Sequence, residues 1–279
     1  MINSEALERF SLKWKVIVIT GGAGFLGMQY ALGFGKAGAN IAVWDNSNYD
    51  PNKLPICGFN LTKAGIDNYW ILRVDVTNEQ EVEEAVNETL VRFSRIDVLI
   101  NNAAMNPAVG SEESQKQFVP YDEYPIDLFR KEIDVNLVGP MICMKAVIPV
   151  MKRQGGGVIV NVASEVSNIA HDHRGYNDPE NRKYKSPAYT ASKTGLVGLT
   201  RQMAAYLGQY NIRVNAFSPG GVGTDKMPAA FIKRFGNANM LGRMAKENEY
   251  VAAMMFLCSD ASSFMTGANL TIDGGKSAW

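Results

Sequence analysis

The run Lys15-Val16-Ile17-Val18-Ile19 is short and β-branched, and it leads directly into Thr20-Gly21-Gly22-Ala23-Gly24-Phe25-Leu26-Gly27. An apolar pattern at helical spacing follows through Leu32 and Phe34. Strand, glycine turn and helix within so few residues start a crossover unit, and crossover units build parallel sheets. Gly21, Gly24 and Gly27 stand three apart. Missing side chains let a backbone approach a pyrophosphate, and the helix N-terminus presents free N–H groups and a positive dipole end. Gly21, Gly24, Phe25, Leu26 and Gly27 are therefore candidate phosphate-binding residues. A tight turn with no ligand uses the same glycines.

Strand-like runs recur at 15–19, 40–44, 69–74, 96–100, 157–163, 211–217 and 268–273, with helical stretches between them. This order predicts an α/β fold: a Rossmann-type, doubly wound parallel sheet of about seven strands with helices on both faces. With 279 residues, 46% of them hydrophobic, the chain reads as a single domain over 1–279. Ligands in such sheets bind beyond the carboxyl ends of the strands.

The chemically suggestive residues fall at those ends. Asp45 closes Asn40-Ile41-Ala42-Val43-Trp44. An acid there accepts hydrogen bonds from an adenosine ribose and repels a 2′-phosphate, which favours NAD over NADP. No Arg or Lys lies between Asp45 and Pro51 to reverse that preference. A turn or N-cap aspartate is the plainer reading. Asp75 and Val76 follow the run at 69–74, as candidates for contact with adenine, and Thr77 with Gln80 resembles a capping box. Asn101-Asn102-Ala103-Ala104 ends the run at 96–100, and its small residues let a cofactor lie close. Ser164 ends the apolar run 157–163. Twenty-five residues later, Tyr189-Thr190-Ala191-Ser192-Lys193 forms a Tyr-x-x-x-Lys. On a helix these side chains lie one turn apart, and a lysine beside a phenol lowers the tyrosine pKa. Alone, the run fits any surface helix.

In combination these residues resemble the single-domain branch of the short-chain dehydrogenase/reductase family, from about Lys13 to the C-terminus. The landmarks stand in family order: glycine turn, Asp75, Asn101-Asn102-Ala103-Ala104, Asn136 within Val135-Asn136-Leu137, Ser164, Tyr189-x-x-x-Lys193 and Pro219-Gly220. Two features depart from the pattern. Phe25 occupies the middle glycine position, so Gly24 makes a Gly-x-x-Gly-x-x-Gly spacing, and the Ser-to-Tyr interval is about twelve residues longer than usual. The resemblance implies a catalytic tetrad of Asn136, Ser164, Tyr189 and Lys193. Tyr189 would be the acid/base, Ser164 would bond the substrate oxygen, and Lys193 would hold the nicotinamide ribose and depress the Tyr189 pKa. Asn136 would bend its helix and hold a relay water. Asn102, Ala103, Ala104, Pro219, Gly220, Val222 and Thr224, with Tyr189 and Lys193, would contact NAD. The resemblance also implies a homodimer or homotetramer through helices near 127–152 and 188–209, where Phe129, Ile133, Leu137 and Met141 form an apolar stripe. Core packing makes the same stripe.

The segment 165–187 reads as an enlarged substrate-side insertion. It holds His171, His173, Arg174, Arg182, Lys183 and Lys185, balanced by Glu165, Asp172, Asp178 and Glu180. A cluster of cations near a redox hydroxyl could bind a carboxylate or phosphate, a solvated loop is the plainer reading of such a mixture, and Glu165, His171 and Arg174 are the candidate substrate contacts. His171-x-His173 lacks further ligands, so no metal is expected. Asn46 to Asn68 and Asn106 to Tyr124, the latter with Glu112, Glu113, Lys116 and Gln117, are the other substrate-side segments. The stretches 241–246 and 256–263 and the ending Ile272-Asp273-Gly274-Gly275 resemble bacterial sugar- and polysaccharide-pathway members, PtmA-type and gluconate 5-dehydrogenase-like.

The expected function is an NAD(H)-dependent oxidoreductase interconverting a secondary alcohol and a ketone, acting on a sugar, sugar acid or polyol. A non-catalytic NAD-binding sensor and an NAD-recycling epimerase or dehydratase are the alternatives. A net charge of zero argues against nucleic acid or an anionic membrane as partner. No stretch reads as long enough to span a membrane, and the N-terminus is not a signal peptide. Cys57, Cys143 and Cys258 lack metal or redox spacing and read as core residues in a reducing, cytoplasmic compartment.

Overall fold

The structure, a computed structural model, describes residues 4–46, 52–106, 118–173, 184–225 and 227–279. A seven-stranded sheet runs through the molecule in the order β3-β2-β1-β4-β5-β6-β7, and every pairing is parallel. The strands are β1 (Val16–Thr20), β2 (Asn40–Asp45), β3 (Tyr69–Arg73), β4 (Val98–Asn101), β5 (Gly157–Val162), β6 (Ile212–Pro219) and β7 (Asn269–Ile272). All seven expected strands form, each within about three residues of the expected ends. Strand order reverses between β1 and β4, and this switch point opens the crevice where the site lies.

Alternate residues of the central strands pack into different layers. Ile17 and Ile19 of β1 join Ile41, Val43, Val98 and Ile100 in one core cluster, while Val18 joins Ala42, Trp44 and Leu99 in the other. The first layer is closed by helices α2 (Phe25–Lys36), α3 (Lys53–Lys63) and α9 (Val251–Cys258), through Tyr30, Phe34, Leu61, Met254 and Leu257. The second is closed by α4 (Glu79–Phe93), α6 (Gly139–Gln154) and α7 (Pro187–Leu207), through Val82, Met144, Val147 and Leu207. Each fully buried aliphatic or aromatic side chain contributes about 1.5–3 kcal/mol, so the two layers dominate stability. Two further helices frame the site, α5 (Ile126–Ile133) and α8 (Ala229–Asn237), besides the short α1 (Ser4–Glu8).

Some local expectations shift. Asn78, not Thr77, caps α4: its side chain accepts from the N–H groups of Gln80 and Glu81. Glu81 completes the exchange, accepting from Asn78 Nδ2 at 3.0 Å and from the Asp75 N–H at 2.8 Å. Thr77 instead donates to Asp75. The helix therefore starts one residue later than the Thr77-to-Gln80 spacing implies. α5 runs through a π-helical turn, Asp134–Val138, into α6. Together these make a helix from Ile126 to Gln154, long and apolar enough by length and composition to cross a membrane, contrary to the expectation that no stretch is. In this fold its buried side, Cys143, Met144, Val147 and Met151, packs into the second core layer.

Candidate active site

The glycine turn is shaped by close approaches. Gly21 has φ +60°, and a Cβ there would lie 2.8 Å from Ala103 Cα. A Cβ on Gly27 would run into the Gly21 carbonyl oxygen. Gly24 is the N-cap of α2 and supplies no side-chain cap. These glycines let the turn close tightly against α2 and the β4 loop, and the free N–H groups at the start of α2 suit a pyrophosphate. Thr20 secures the opposite wall: its hydroxyl accepts from the N–H groups of Asn102 and Ala103, both at 3.0 Å. Asn102 Nδ2 donates back to the Thr20 and Gly21 carbonyls. Thr20 had no signal of its own in the sequence beyond its place at the strand end.

Asp45 is buried and is no helix cap. Its Oδ2 accepts from the Ala23 N–H at 3.1 Å, and its Oδ1 accepts from Lys53 Nζ at 2.8 Å. The carboxylate therefore ties β2 to the glycine turn. Lys53, brought in by α3, is the cation that the interval from Asp45 to Pro51 does not contain, and it lines the cleft. Of the expected cofactor contacts, Gly27, Asp45, Asp75 and Val76 are not among the cleft-lining residues. The Asp75 carboxylate turns to the Thr77 N–H and hydroxyl at 2.9 and 2.7 Å, and Val76 is buried in the second core layer.

A cleft of about 1410 Å³ joins this cradle to the Ser–Tyr–Lys set. Its lining includes Gly21, Gly24, Phe25 and Leu26, then Asn102, Ala103 and Ala104, and then Ser164, Glu165, His171, Tyr189 and Lys193. Pro219, Gly220, Val222 and Thr224 line it as well. Gly220 is held in place by its N–H bond to the Ile272 carbonyl and by Tyr250, whose hydroxyl donates to the Gly220 carbonyl at 2.9 Å. An apolar wall of Phe231 and Phe235 from α8, with Met244, completes the cleft and was not foreseen. The helical spacing of Phe231 and Phe235 was its one legible trace. Arg174, Arg182, Lys183 and the remainder of 174–183 lie outside the described residues, as does 107–117 with Glu112, Glu113, Lys116 and Gln117.

Ser164 sits just past β5 with extended backbone, and its hydroxyl bonds the Tyr189 phenol. Burial pushes the phenol up to about 12. The Ser164 bond opposes this, and the Glu165 and Glu132 carboxylates reinforce it. The expected lowering of the Tyr189 pKa by Lys193 is therefore not what this geometry gives. Lys193 Nζ lies 5.8 Å from the phenol ring centroid and donates to the Val162 carbonyl at 2.7 Å. Burial pushes Lys193 itself down to about 8. Asn136 is fully buried in the π-helical turn, which is the local bend expected of it. Its Oδ1 accepts from the Met105 N–H at 2.7 Å and its Nδ2 approaches Ser192 Oγ at 3.4 Å. It thereby couples the β4 loop to α7 one turn from Tyr189, from behind the cleft lining.

On the substrate side, Glu165 is buried and accepts from Lys276 Nζ at 2.8 Å. Burial raises its pKa and Lys276 pulls it back. Lys276 Nζ also stands 3.8 Å from the Phe235 ring centroid. His171 lies ring against ring with Tyr189, centroids 6.1 Å apart. Burial, with Lys185 and Lys276 nearby, pushes it down to about 3, so it is neutral. Beneath lies a polar cluster that sequence reasoning missed. Glu132 of α5 accepts from Tyr124 and, at 2.8 Å, from Ser186 Oγ, and Ser186 caps α7. Among the described residues no three metal-ligating side chains converge.

A family model described as enoyl-(acyl carrier protein) reductase matches residues 22–277. The trans-4-hydroxycyclohexanecarboxylate dehydrogenase of Sinomonas cyclohexanicum is 36% identical over 267 residues, covering 95% of this chain and 93% of that protein. Among solved structures, an NAD+-bound xylitol dehydrogenase aligns with a TM-score of 0.81 at 30% identity, over 95% of this chain and 99% of the other. An NADPH-dependent 3-quinuclidinone reductase from Rhodotorula rubra aligns with a TM-score of 0.80 at 29% identity, over 99% and 96%.

Proposed function

Because this chain belongs to the short-chain dehydrogenase/reductase superfamily, and so acts on alcohols as an oxidoreductase, we propose that it is an NAD-dependent dehydrogenase of a secondary alcohol in a sugar, sugar acid or polyol. One observation carries this reading: a single cleft joins the phosphate cradle at Gly21 and Gly24 to Ser164, Tyr189 and Lys193. When bound, the nicotinamide dinucleotide supplies the hydride acceptor or donor. The rest falls to the protein. In the oxidation direction the Tyr189 oxygen takes the carbinol proton, and Ser164 donates a hydrogen bond to the same substrate oxygen as charge develops. Lys193 steadies the nicotinamide ribose, and Asn136 serves the proton path behind it. Asp45 supports NAD over NADP, because a buried carboxylate opposes a 2′-phosphate. Lys53 weakens that opposition, so the preference is one of degree.

The polar wall of Glu165 and His171, with Lys276 behind Glu165, suits a polyhydroxylated substrate, since neutral imidazole and carboxylate accept hydrogen bonds from hydroxyls. A homodimer or homotetramer fits Phe129, Ile133 and Leu137, which stay half-buried, with Met141 and Val138 exposed beside them. A cytoplasmic location fits three buried, free cysteines. An intact acid/base set argues against a pure sensor. The test is NADH absorbance with NAD or NADP across sugars, sugar acids, polyols and alicyclic alcohols, with Tyr189→Phe alongside. Turnover with NAD that the variant loses supports the reading. Dinucleotide binding without net turnover on any alcohol refutes it in favour of the sensor or the recycling enzyme.

A further inference from the structure

Lys185 is a buried cation in the substrate half of the cleft, and the proton transfer described above does not use it. Its main chain is clamped on both sides. The Tyr121 hydroxyl donates to its carbonyl at 3.1 Å, and its N–H donates to His173 Nδ1 at 3.4 Å. The next residue, Ser186, is locked by its bond to Glu132 and by capping α7. So anchored, the side chain lines the cleft with Nζ 5.0 Å from the Tyr189 ring centroid and 5.5 Å from that of Phe118.

Among the described residues its one side-chain hydrogen bond goes to Asn106 Oδ1, a neutral acceptor. Among the described residues it makes no ion pair. Glu132 is the carboxylate that acts on it, and both Glu132 oxygens are already engaged by Tyr124 and Ser186. The other buried cation on this side, Lys276, is paired with Glu165. An ammonium out of water without a counter-charge is unfavourable, and burial accordingly pushes Lys185 down to about 8. Among the described residues no carboxylate forms an ion pair with this rigidly held cation, and Glu132 acts on it without contact, so an anion arriving with the substrate would complete it.

We propose that Lys185 anchors a carboxylate of the substrate, a few bonds from the carbinol that Ser164 and Tyr189 engage. This rests on the dehydrogenase reading and narrows its substrate class to hydroxy acids. A monoanion fits better than a phosphate dianion, because the neighbouring His171 is neutral and Lys276 is already paired.

The test uses the full-length protein with NADH bound, as wild type, Lys185→Met and Lys185→Arg. A non-oxidisable ring carboxylate and its carboxamide are compared for thermal stabilisation, and hydroxy acids are compared with their amides for turnover. NADH titration reports that each variant is folded. The carboxylate raises Tm in wild type and Lys185→Arg more than the carboxamide does, and this difference vanishes in Lys185→Met. The acid-over-amide ratio of kcat/KM falls by about 30-fold or more in Lys185→Met. An unchanged ratio, or no preference for the carboxylate in wild type, overturns the proposal. So does an equal fall in kcat for acid and amide at constant KM, which would assign Lys185 to the Tyr189 proton instead. If no alcohol is oxidised yet the carboxylate still stabilises wild type and not Lys185→Met, the dehydrogenase reading falls and the anion site stands.

Discussion

Replacing Lys276 with Met isolates the buried ion pair that it makes with Glu165, a residue of the cleft lining. Glu165 is 4% exposed and Lys276 7%, so removing the ammonium strands a carboxylate out of water, with Asp273 adding repulsion. Breaking one side of such a pair costs about 3–5 kcal/mol. At about 2–4 °C per kcal/mol for a domain approaching this size, Tm falls by about 6–20 °C. The pH dependence has a definite sign. Burial already holds the Glu165 pKa above its unfolded value, and loss of Lys276 raises it further. The folded variant then binds the proton more tightly than the unfolded chain, so its stability is greatest at low pH and is lost as pH rises through the folded pKa. The deficit against wild type is therefore smaller near about pH 5 than near about pH 8. Glu165→Gln in the Lys276→Met background removes the stranded charge and recovers most of the loss. The part not recovered includes the contact of Lys276 with Phe235 at 3.8 Å, worth about 0.5–2 kcal/mol. Thermal and urea unfolding of the three proteins across pH decides the matter. A Tm for Lys276→Met that matches wild type at every pH, or a double variant no more stable than the single, would refute a buried pair.

Tyr189→Phe removes the acid/base group and lowers turnover by about 10²–10⁴-fold in steady-state kinetics; a smaller loss means that another group moves the proton. Because burial holds the phenol up at about 12, the phenolate fraction grows with pH, so kcat/KM for alcohol oxidation climbs from about pH 6 to about pH 9. Ketone reduction, which needs the proton, shows no such rise, and a flat oxidation profile would contradict the assignment. Asp45→Ala frees Lys53 and moves the NAD-to-NADP preference toward NADP by about tenfold, about 1.4 kcal/mol, measured as the ratio of kcat/KM values. Gly27→Ala drives a methyl into the Gly21 carbonyl, costing about 1–3 kcal/mol in unfolding experiments and weakening NADH binding by fluorescence titration.

The sheet was legible in the sequence because a parallel sheet covered on both faces leaves β-branched runs such as Val16–Ile19 and Val158–Val160, bounded by polar or turn residues. The glycine turn was legible because the absence of a side chain at Gly21, Gly24 and Gly27 is a local fact with a local consequence. Ser164, Tyr189 and Lys193 were legible through resemblance and order at strand ends, which the topology then brought to one cleft. What local pattern does not carry is the choice of partner for a buried polar group. Lys53 reaches Asp45 only because α3 folds back onto β2. Glu165 meets Lys276 across 111 residues. The cap moved from Thr77 to Asn78 because Glu81 could bond both Asn78 and Asp75. Composition made 165–187 a solvated loop of balanced charge. Tertiary packing made Lys185 of that loop a buried cation, because Tyr121 and, within the loop, His173 bond its backbone while Glu132 of α5 holds Ser186 beside it. Periodicity records which face of an element leaves water, and only the assembled layers determine which charges leave it together.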